Sequence, residues 1–537
     1  MKRTKPNLAT FLNLPNPGLR AYFSHVVEGQ PEDYRPPFWK GLSRETVLNR
    51  WQEKLDALRV NERVPGLAEF ETEMRTKVGP LSVQLPLRER LESIEHYYTL
   101  VNTKSVPIDP RAIEATWKTF SKAGGVRLKS IRNVSQAMRL NTNSGTPYFT
   151  KRRVVLKDTL RDIKEWDPSV LGDWRMSAIL GWRGQEGGPE KDDVKQRVVW
   201  MMPLSVNMIE ATFYQPAIAA WQKYNINSAY VSMRAVEEKI TRLFDSKGDE
   251  YVVVTDFSKF DQHFNSDLQN ASGLLIQSMI DGRLAHDVAT DFTHQYLIDV
   301  FPYKYEVPLI CSSDVMYSGK HGMASGSTGT NFDECCAHTA MQHECAILNG
   351  ATLNPYSNAY GDDGYLSFKG IDVDKVISAY TSHGQEMNPS KQSVDKHSAV
   401  YLRRYFHDSY RDSSGKMLGI YSTFRALGRL LGQERYFNED EVMDDYKSLV
   451  ILRAFSILEN CANHPLFHEF VDFCVSGDKY RLGLAIPGFF DGLGKKAKKF
   501  MDVTPDILGY TKTLQSDDFR GIERWEVVKY LKEKVRK

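Results

Sequence analysis

The sequence has few cysteines and no long apolar run. Only six of its 537 residues are cysteine, too few for disulfides to hold a chain of this size together, so a reducing compartment is expected. No apolar stretch approaches the roughly eighteen residues of a membrane span. The apolar part of the N-terminus is interrupted by Asn13, Pro15 and Pro17. We therefore expect neither a signal peptide nor contact with a membrane.

The chain also lacks an excess of charge of one sign. Lys and Arg together number 70, Asp and Glu 68, and 41% of residues are hydrophobic, which is globular composition and excludes disordered or collagenous classes. The charge is unevenly placed, because residues 121–160 contain nine cations and a single acid, Asp158. This density suits either a solvated face or contact with a polyanion.

Short strand patterns and longer helix patterns interleave without regular βαβ order, which predicts an α+β fold. The apolar, β-branched run 251–256 predicts a buried strand. A Gly-Asp-Asp-Gly sequence between short apolar arms predicts a hairpin over 356–368. Further predicted elements are helices over 267–280 and 330–348, strands over 195–202 and 398–406, and a flexible loop over 181–193.

Three carboxylates are candidates for chemistry. Asp256 ends the predicted strand, and Asp362 and Asp363 form the tip of the predicted hairpin. Strand ends and tight turns are rigid supports, and converging carboxylates suit Mg²⁺, which prefers oxygen ligands and leaves positions open for phosphates. Each feature alone is also ordinary turn or capping chemistry.

Cysteines and histidines crowd one predicted helix and leave two interpretations open. A structural zinc site would use such residues, but no paired C-x₂-C motif is present. Small core residues and hydrogen-bonded histidines are the alternative. The residues concerned are Cys335, Cys336, His338, His343 and Cys345.

Seven short motifs resemble those of the viral RNA-dependent RNA polymerases. Residues 256–261 (DFSKFD) resemble motif A, 325–330 (SGSTGT) motif B and 360–363 (YGDD) motif C. Residues 388–391 and 401–406 resemble motifs D and E, and upstream 195–197 and 142–148 resemble motifs F and G. In its chain length and in the Ser-Gly-Ser sequence of motif B, the chain most resembles the polymerases of small double-stranded RNA viruses of the picobirnavirus and partitivirus kind.

The resemblance implies a right-hand polymerase with fingers, palm and thumb, closed by fingertips, with an antiparallel palm sheet and flanking helices. Implied boundaries are an N-terminal extension and fingers over 1–245, with the chain entering the palm near 203–245. The segments that follow are palm over 246–265, a fingers insertion over 266–317, palm over 318–410, and thumb with the C-terminal segment over 411–537.

The resemblance also implies roles for individual residues. Two Mg²⁺ ions, with Mn²⁺ able to substitute, would be held by Asp256, Asp362 and Asp363, and Lys391 would donate a proton to the leaving group. The nucleotide would contact Lys195, Arg197, Asp261, Ser325, Thr330 and Asn331. RNA would contact Ser144, Gly145, Pro147, Gly326, Arg403 and Arg404.

One position departs from the family pattern. Four residues after Thr330, where many members have Asn, this sequence has Glu334, with Asn331 and Asp333 nearby. An ionised carboxylate accepts hydrogen bonds but donates none. The residue that completes the ribose site therefore stays open among these three.

The implied function is template-directed RNA synthesis for a viral genome. The implied partners are a single-stranded RNA template, nascent RNA and nucleoside triphosphates, and capsid protein is a further one. The enzyme is expected to be monomeric. Its implied locations are the virion interior and the host cytoplasm. The alternatives are a reverse transcriptase and a non-catalytic RNA-binding packaging protein. Asp261 favours ribonucleotides, because reverse transcriptases place a bulky side chain near the sugar.

Overall fold

The computed structural model describes residues 1–4, 17–163, 176–185, 187–287, 296–434, 446–503 and 519–536. The strands in these ranges are β1 (Lys2–Thr4), β2 (Ala178–Gln185), β3 (Lys195–Met201), β4 (Val252–Thr255), β5 (Leu309–Ile310), β6 (Met316–Ser318), β7 (Asn358–Tyr360), β8 (Asp363–Leu366), β9 (Ser393–Asp395), β10 (Ser398–Tyr401), β11 (Arg404–His407) and β12 (Ile420–Tyr421). Within the same ranges no helix is long and apolar enough to cross a membrane.

The α-helices in the described ranges, in chain order, outnumber the strands. They are α1 (Pro17–Glu28), α2 (Arg44–Ala57), α3 (Leu67–Arg75), α4 (Leu91–Thr99), α5 (Pro110–Phe120), α6 (Ile131–Ala137), α7 (Arg152–Asp162), α8 (Leu204–Lys223), α9 (Met233–Ser246), α10 (Ser266–Asp281), α11 (Thr330–Leu348), α12 (Val373–Ser382), α13 (Thr423–Leu431), α14 (Tyr446–Glu459), α15 (Phe467–Gly477), α16 (Leu493–Val503) and α17 (Glu526–Arg536).

The chain forms two compact units, each assembled from separate stretches of sequence. The first unit comprises residues 1–29, 85–182 and 198–401. The second comprises residues 30–84, 183–197 and 402–537. Residues 30–84 therefore fold with the C-terminal part of the chain, although they precede most of the first unit in sequence.

A four-stranded antiparallel sheet in the first unit has the order β7-β8-β4-β9. Its central strand, β4, is a run of three valines and a threonine that is buried along its whole length. β-Branched residues suit a strand packed on both faces. Below it, α11 is buried at most positions and packs with α5 and α10 around one apolar core.

A five-stranded sheet has the order β1-β6-β5-β2-β3. β1 lies antiparallel to β6, with Lys2 opposite Ser318, and β5 pairs in parallel with β2. The N-terminal strand thus covers β6, which would otherwise be an open edge.

The second unit is mainly helical, with a short antiparallel pairing of β11 and β12. Trp51 of α2 is fully buried against Phe470 and Phe473 of α15, with ring centroids 4.9 and 5.2 Å away. These aromatic contacts join the early stretch 30–84 to the C-terminal helices of the same unit.

Most predicted elements near the carboxylates are observed, and two differ. The predicted loop over 181–193 begins as strand, because β2 continues to Gln185. The single strand predicted over 398–406 is divided into β10 and β11 by Leu402 and Arg403, which have φ of 48° and 63°. Neither residue type favours positive φ, so the local pattern gave no sign of this turn.

Candidate active site

Strand register brings the three candidate carboxylates to the same end of the four-stranded sheet. We call this end, formed by Asp256, Asp362 and Asp363, the carboxylate edge. β4 and β8 pair with Thr255 opposite Gly364, so the next position places Asp256 beside Asp363. Asp363 also pairs with Tyr360 across the β7–β8 hairpin, which leaves Gly361 and Asp362 as a two-residue turn. Gly361 has φ +66°, the conformation that such tight hairpin turns require. Asp256 and Asp362 are exposed, and Asp363 is half-buried.

The carboxylate edge fits a hard divalent cation by the chemistry of its donors. Carboxylate oxygens are the ligands that Mg²⁺ prefers, and the exposure of two of them leaves room for water and phosphate oxygens. Across the described ranges, however, no three His, Cys, Asp or Glu side chains are already gathered into a metal-sized cluster. The structure therefore presents the donors along one edge and not as a closed cage.

Gln392, which the sequence analysis did not select, fixes the backbone of Asp256. The Asp256 N–H donates to Gln392 Oε1 at 2.9 Å, and Gln392 Nε2 donates to the Asp256 carbonyl at 2.8 Å. Lys391, the predicted proton donor, is the adjacent residue, ends a short 3₁₀ helix and is exposed. The paired amide thus connects the segment that carries Lys391 to the carboxylate edge.

Three side chains on one face of α11 hold the β7–β8 hairpin, two of them at Gly361 in its turn and the third at its strands. The Gly361 N–H donates to Cys335 Sγ at 3.3 Å, and His338 Nδ1 lies 2.9 Å from the Gly361 carbonyl. Gln342 Nε2 donates to the carbonyls of Asn358 and Tyr365 at 3.0 and 3.2 Å. Burial lowers the pKa of His338 to about 4, so its neutral ring donates from Nδ1.

These contacts favour the second interpretation of the cysteines and histidines, in which they are core residues and hydrogen-bonded histidines and not zinc ligands. All six cysteines are buried free thiols, and Cys335 and His338 serve the hairpin. Cys335, His338 and Gln342 recur at i, i+3 and i+7, the spacing of one helix face. That spacing was the available signal for a shared contact, although it did not identify the partner.

The predicted motif B loop meets motif A directly. Ser325 Oγ donates to Asp261 Oδ2, and the Met323 N–H donates to the Asp261 carbonyl at 2.8 Å. Asp261 is only 6% exposed. Gly326 has φ +139°, and a Cβ there would lie 2.0 Å from the Trp200 carbonyl oxygen. The hydroxyl of Thr330 lies 3.1 Å from the Ala324 carbonyl, which closes the loop on itself.

The structure separates the three candidates for the ribose site. Asp333 is fully buried in a salt bridge with Lys304, so its carboxylate is used inside the core. Asn331 and Glu334 instead face the turn, because a Cβ placed on Gly361 would lie 3.0 Å from Asn331 Nδ2 and 3.2 Å from Glu334 Oε2. Asn331 and Glu334 therefore lie beside the turn that carries Asp362, whereas the carboxylate of Asp333 is paired with Lys304.

The predicted RNA-binding segment of the first unit has a buried part and an exposed part. Ser144 is fully buried, its hydroxyl accepts from the Thr150 N–H at 3.1 Å, and a Cβ on Gly145 would lie 2.5 Å from the Met202 carbonyl oxygen. Pro147 is half-buried. Seven of the nine cations in 121–160 are exposed, namely Lys122, Arg127, Lys129, Arg132, Lys151, Arg153 and Lys157. In this segment the exposed cations can therefore contact a polyanion, whereas the side chain of Ser144 is buried.

Four predicted contacts belong to the second unit. Lys195 is exposed and Arg197 half-buried on β3. Arg403 is exposed, whereas Arg404 is buried, donates to the Asn460 carbonyl at 2.8 Å and lies over the Tyr421 ring. Of the two adjacent arginines, only Arg403 is exposed, so the RNA contact predicted for Arg404 is not open to its side chain in this conformation.

Comparison with known proteins identifies the class. The family profile described as viral RNA-dependent RNA polymerase matches residues 182–417. The chain is 47% identical over 541 residues to the potential RNA-dependent RNA polymerase of Human picobirnavirus (strain Human/Thailand/Hy005102/-), covering 98% of this chain and 99% of that protein. The chain belongs to the viral RNA-dependent RNA polymerases.

Solved structures agree with this assignment. The crystal structure of a human picobirnavirus RNA-dependent RNA polymerase matches with a TM-score of 0.88 and 46% identity, over 97% of this chain and 98% of that one. An insertion-loop deletion mutant of a human picobirnavirus polymerase matches with a TM-score of 0.87 and 44% identity over 97% of each chain. The predictions of an α+β right-hand polymerase and of a picobirnavirus-type enzyme are confirmed, and the alternatives of a reverse transcriptase and a packaging protein fall away.

Proposed function

We propose that this RNA-dependent RNA polymerase extends RNA by two-metal nucleotidyl transfer at Asp256, Asp362 and Asp363, and thereby replicates and transcribes a viral RNA genome. The observation that carries the proposal is the register of β4 with the β7–β8 hairpin, which sets three carboxylates on one exposed edge. Bound Mg²⁺, or Mn²⁺ in its place, would lower the pKa of the attacking hydroxyl and neutralise charge on the triphosphate.

The reaction is attack of the 3′-hydroxyl oxygen on the α-phosphorus of a nucleoside triphosphate. A new oxygen–phosphorus bond forms, the bond to the β-phosphate oxygen breaks, and pyrophosphate leaves. We assign Asp261, Ser325, Thr330 and Asn331 to the nucleotide and Lys195 with Arg197 to its triphosphate. Arginine suits phosphate through its planar fork and lysine as a point charge.

The remaining assignments concern RNA and domain organisation. We propose that exposed cations of 121–160 and the segment with Ser144, Gly145 and Pro147 follow the template backbone, together with Gly326. We propose further that Arg403 neighbours the growing strand, while the buried Arg404 holds this segment in place through Asn460 and Tyr421. Contacts with backbone phosphates suit an enzyme that must copy any sequence. In this scheme 246–265 and 318–410 form the palm, 1–245 and 266–317 the extension and fingers, and 411–537 the thumb.

The proposed setting is a virion interior and the host cytoplasm, with capsid protein as a further partner of a monomeric enzyme. The direct test is extension of single-stranded RNA, with and without a primer, in Mg²⁺ and then in Mn²⁺. Incorporation of ribonucleotides that needs the divalent ion supports the proposal. Synthesis that continues in excess chelator, or a preference for deoxynucleotides, contradicts it.

Lys391→Leu should slow the chemical step about a hundredfold while nucleotide affinity changes little, if Lys391 protonates the pyrophosphate. Single-turnover rates over a range of nucleotide concentrations separate these two quantities. Lys375→Leu is the matched control, because Lys375 is an exposed lysine on α12 whose ammonium contacts Gly370 and Asp372. Equal single-turnover rates for the wild type and Lys391→Leu would remove Lys391 from the catalytic set.

A further inference from the structure

Three charged side chains lie buried behind the loop that carries Ser325. They are Glu210 on α8, Lys304 on the 3₁₀ turn Phe301–Tyr305 and Asp333 at the start of α11, and all three are 0% exposed. Buried charges are costly unless they are paired and hydrogen-bonded, so a cluster of this kind needs a structural or functional explanation.

Lys304 and Asp333 form a complete pair by themselves. Their ammonium and carboxylate lie 3.0 Å apart, and the hydroxyls of Tyr214 and Tyr305 donate to the two Asp333 oxygens at 2.7 and 2.8 Å. Lys304 also donates to the Phe301 carbonyl at 3.0 Å. The pair is neutral overall, and the carboxyl group of Glu210 lies close enough to interact with both members.

Glu210 directs its carboxylate at the loop. Ser327 Oγ lies 2.9 Å from both Glu210 oxygens, and the Thr328 N–H donates to Glu210 Oε2 at 3.0 Å. Burial raises the pKa of Glu210, while Lys304 and the two loop donors act to lower it. Thr328 Oγ1 lies 3.1 Å from the Asn207 carbonyl, one turn earlier on α8.

The loop is held from behind by backbone contacts as well. The Trp200 N–H donates to the Ser325 carbonyl at 2.8 Å. A Cβ on Gly329 would lie 2.2 Å from Cζ of Tyr214. With its rear fixed at Ser327 and Thr328, the loop presents the Ser325 hydroxyl to Asp261 on its other side.

We propose that Glu210 is a positioning residue for nucleotide selection, which fixes the rear of the loop so that Ser325 and Asp261 keep the geometry that recognises a ribose. The inference rests on the proposed role of Asp261 and Ser325 at the sugar. A carboxylate suits this task because it offers acceptors only, and so receives a hydroxyl and a backbone N–H together. Glutamine of the same size offers one oxygen and would turn an amide group toward one of those donors.

The test compares Glu210→Gln, Ser327→Ala and the double variant. The measured quantity is the ratio of kcat/KM for a ribonucleoside triphosphate to that for its 2′-deoxy analogue, on a primed template. We expect each single variant to lower the ratio about tenfold, and the double variant to lower it no further, because both remove the same contact.

Glu344→Gln is the matched control. Glu344 is a buried carboxylate on α11 that accepts from His383 and from the Asp109 N–H, two residues that lie outside the loop. Its loss should lower the melting temperature and leave the selectivity ratio unchanged. A ratio that stays at the wild-type value in both Glu210→Gln and Ser327→Ala overturns the inference. If Glu210→Gln does not fold, Ser327→Ala decides the matter alone.

Amide hydrogen exchange of peptides covering 322–332 gives a readout that needs no activity. Faster exchange in Glu210→Gln and Ser327→Ala than in Glu344→Gln supports the anchor, and equal exchange in all three refutes it. A wild-type protein that added no nucleotide would count against the proposed function, while the exchange experiment would still decide whether Glu210 holds the loop.

Discussion

Asp362→Asn should reduce nucleotide addition by roughly a thousandfold or more, with folding and RNA binding nearly unchanged. The substitution removes the charge of a proposed metal ligand but almost none of its volume. Asp362 is exposed in a two-residue turn that is supported by its neighbour Gly361, so the turn itself should persist. Primer extension measures the activity, filter binding measures RNA affinity, and thermal unfolding measures stability.

The matched control is Asp374→Asn. Asp374 is an exposed aspartate in the first turn of α12, away from the carboxylate edge, and the change should leave synthesis at the wild-type rate. Retention of full synthesis by Asp362→Asn would refute the metal assignment. Loss of activity accompanied by an equal loss of folded protein would contradict the expectation that only the charge matters.

Glu71→Leu should destabilise the protein by about 3–5 kcal/mol, because it leaves several buried donors without an acceptor. Glu71 lies on α3 and is fully buried against the N-terminus of α13, where it accepts from the Thr423 N–H and hydroxyl at 2.8 and 2.7 Å. It also accepts from the Ser422 hydroxyl, and His464 Nε2 lies 3.0 Å away. A carboxylate at a helix N-terminus also interacts favourably with the helix dipole.

The pH dependence of this site has a defined sign. Burial alone would raise the pKa of Glu71, but the hydrogen bond and charge of His464 and the donors at Ser422 and Thr423 lower it below the ordinary 4.5. A depressed folded pKa gives stability that is present above about pH 4.5 and is lost as the pH falls through the folded value. The stability difference between wild type and Glu71→Gln should therefore shrink on acidification below pH 4.5.

Denaturant unfolding of the two Glu71 variants, beside Glu73→Leu, measures these effects. Glu73 is an exposed residue on the same helix that pairs with Lys77, and surface pairs of this kind contribute about 0–1 kcal/mol. A Glu71→Leu protein as stable as Glu73→Leu would show that the buried donors find other acceptors.

Local sequence patterns were enough for the elements that carry the carboxylates. The strand predicted over 251–256 is β4, and the helix predicted over 330–348 is observed with the same limits in α11. These elements follow from the period of their apolar residues and from a glycine where positive φ is needed. The motifs predicted the class of enzyme because their order and spacing are specific when taken together.

Contacts between distant residues were not predictable in the same way. Glu210 and Ser327 are 117 positions apart, and Asp256 and Gln392 are 136 apart. Neither Glu210 nor Gln392 stands in a distinctive local pattern, because pairing across such separations leaves no periodicity in the sequence. The same reason applies to Arg404, whose burial depends on Asn460 and Tyr421.

The sequence by itself determined the α+β class, and the strand, the hairpin and the helix around the three carboxylates, since these depend on neighbours along the chain. Only the tertiary structure decided that Asp333 is enclosed with Lys304 while Asn331 and Glu334 face the turn. Three acids and amides within one helical turn look equivalent in sequence. They differ because a helix rotates successive side chains toward different surroundings, and only packing determines which of those surroundings is core.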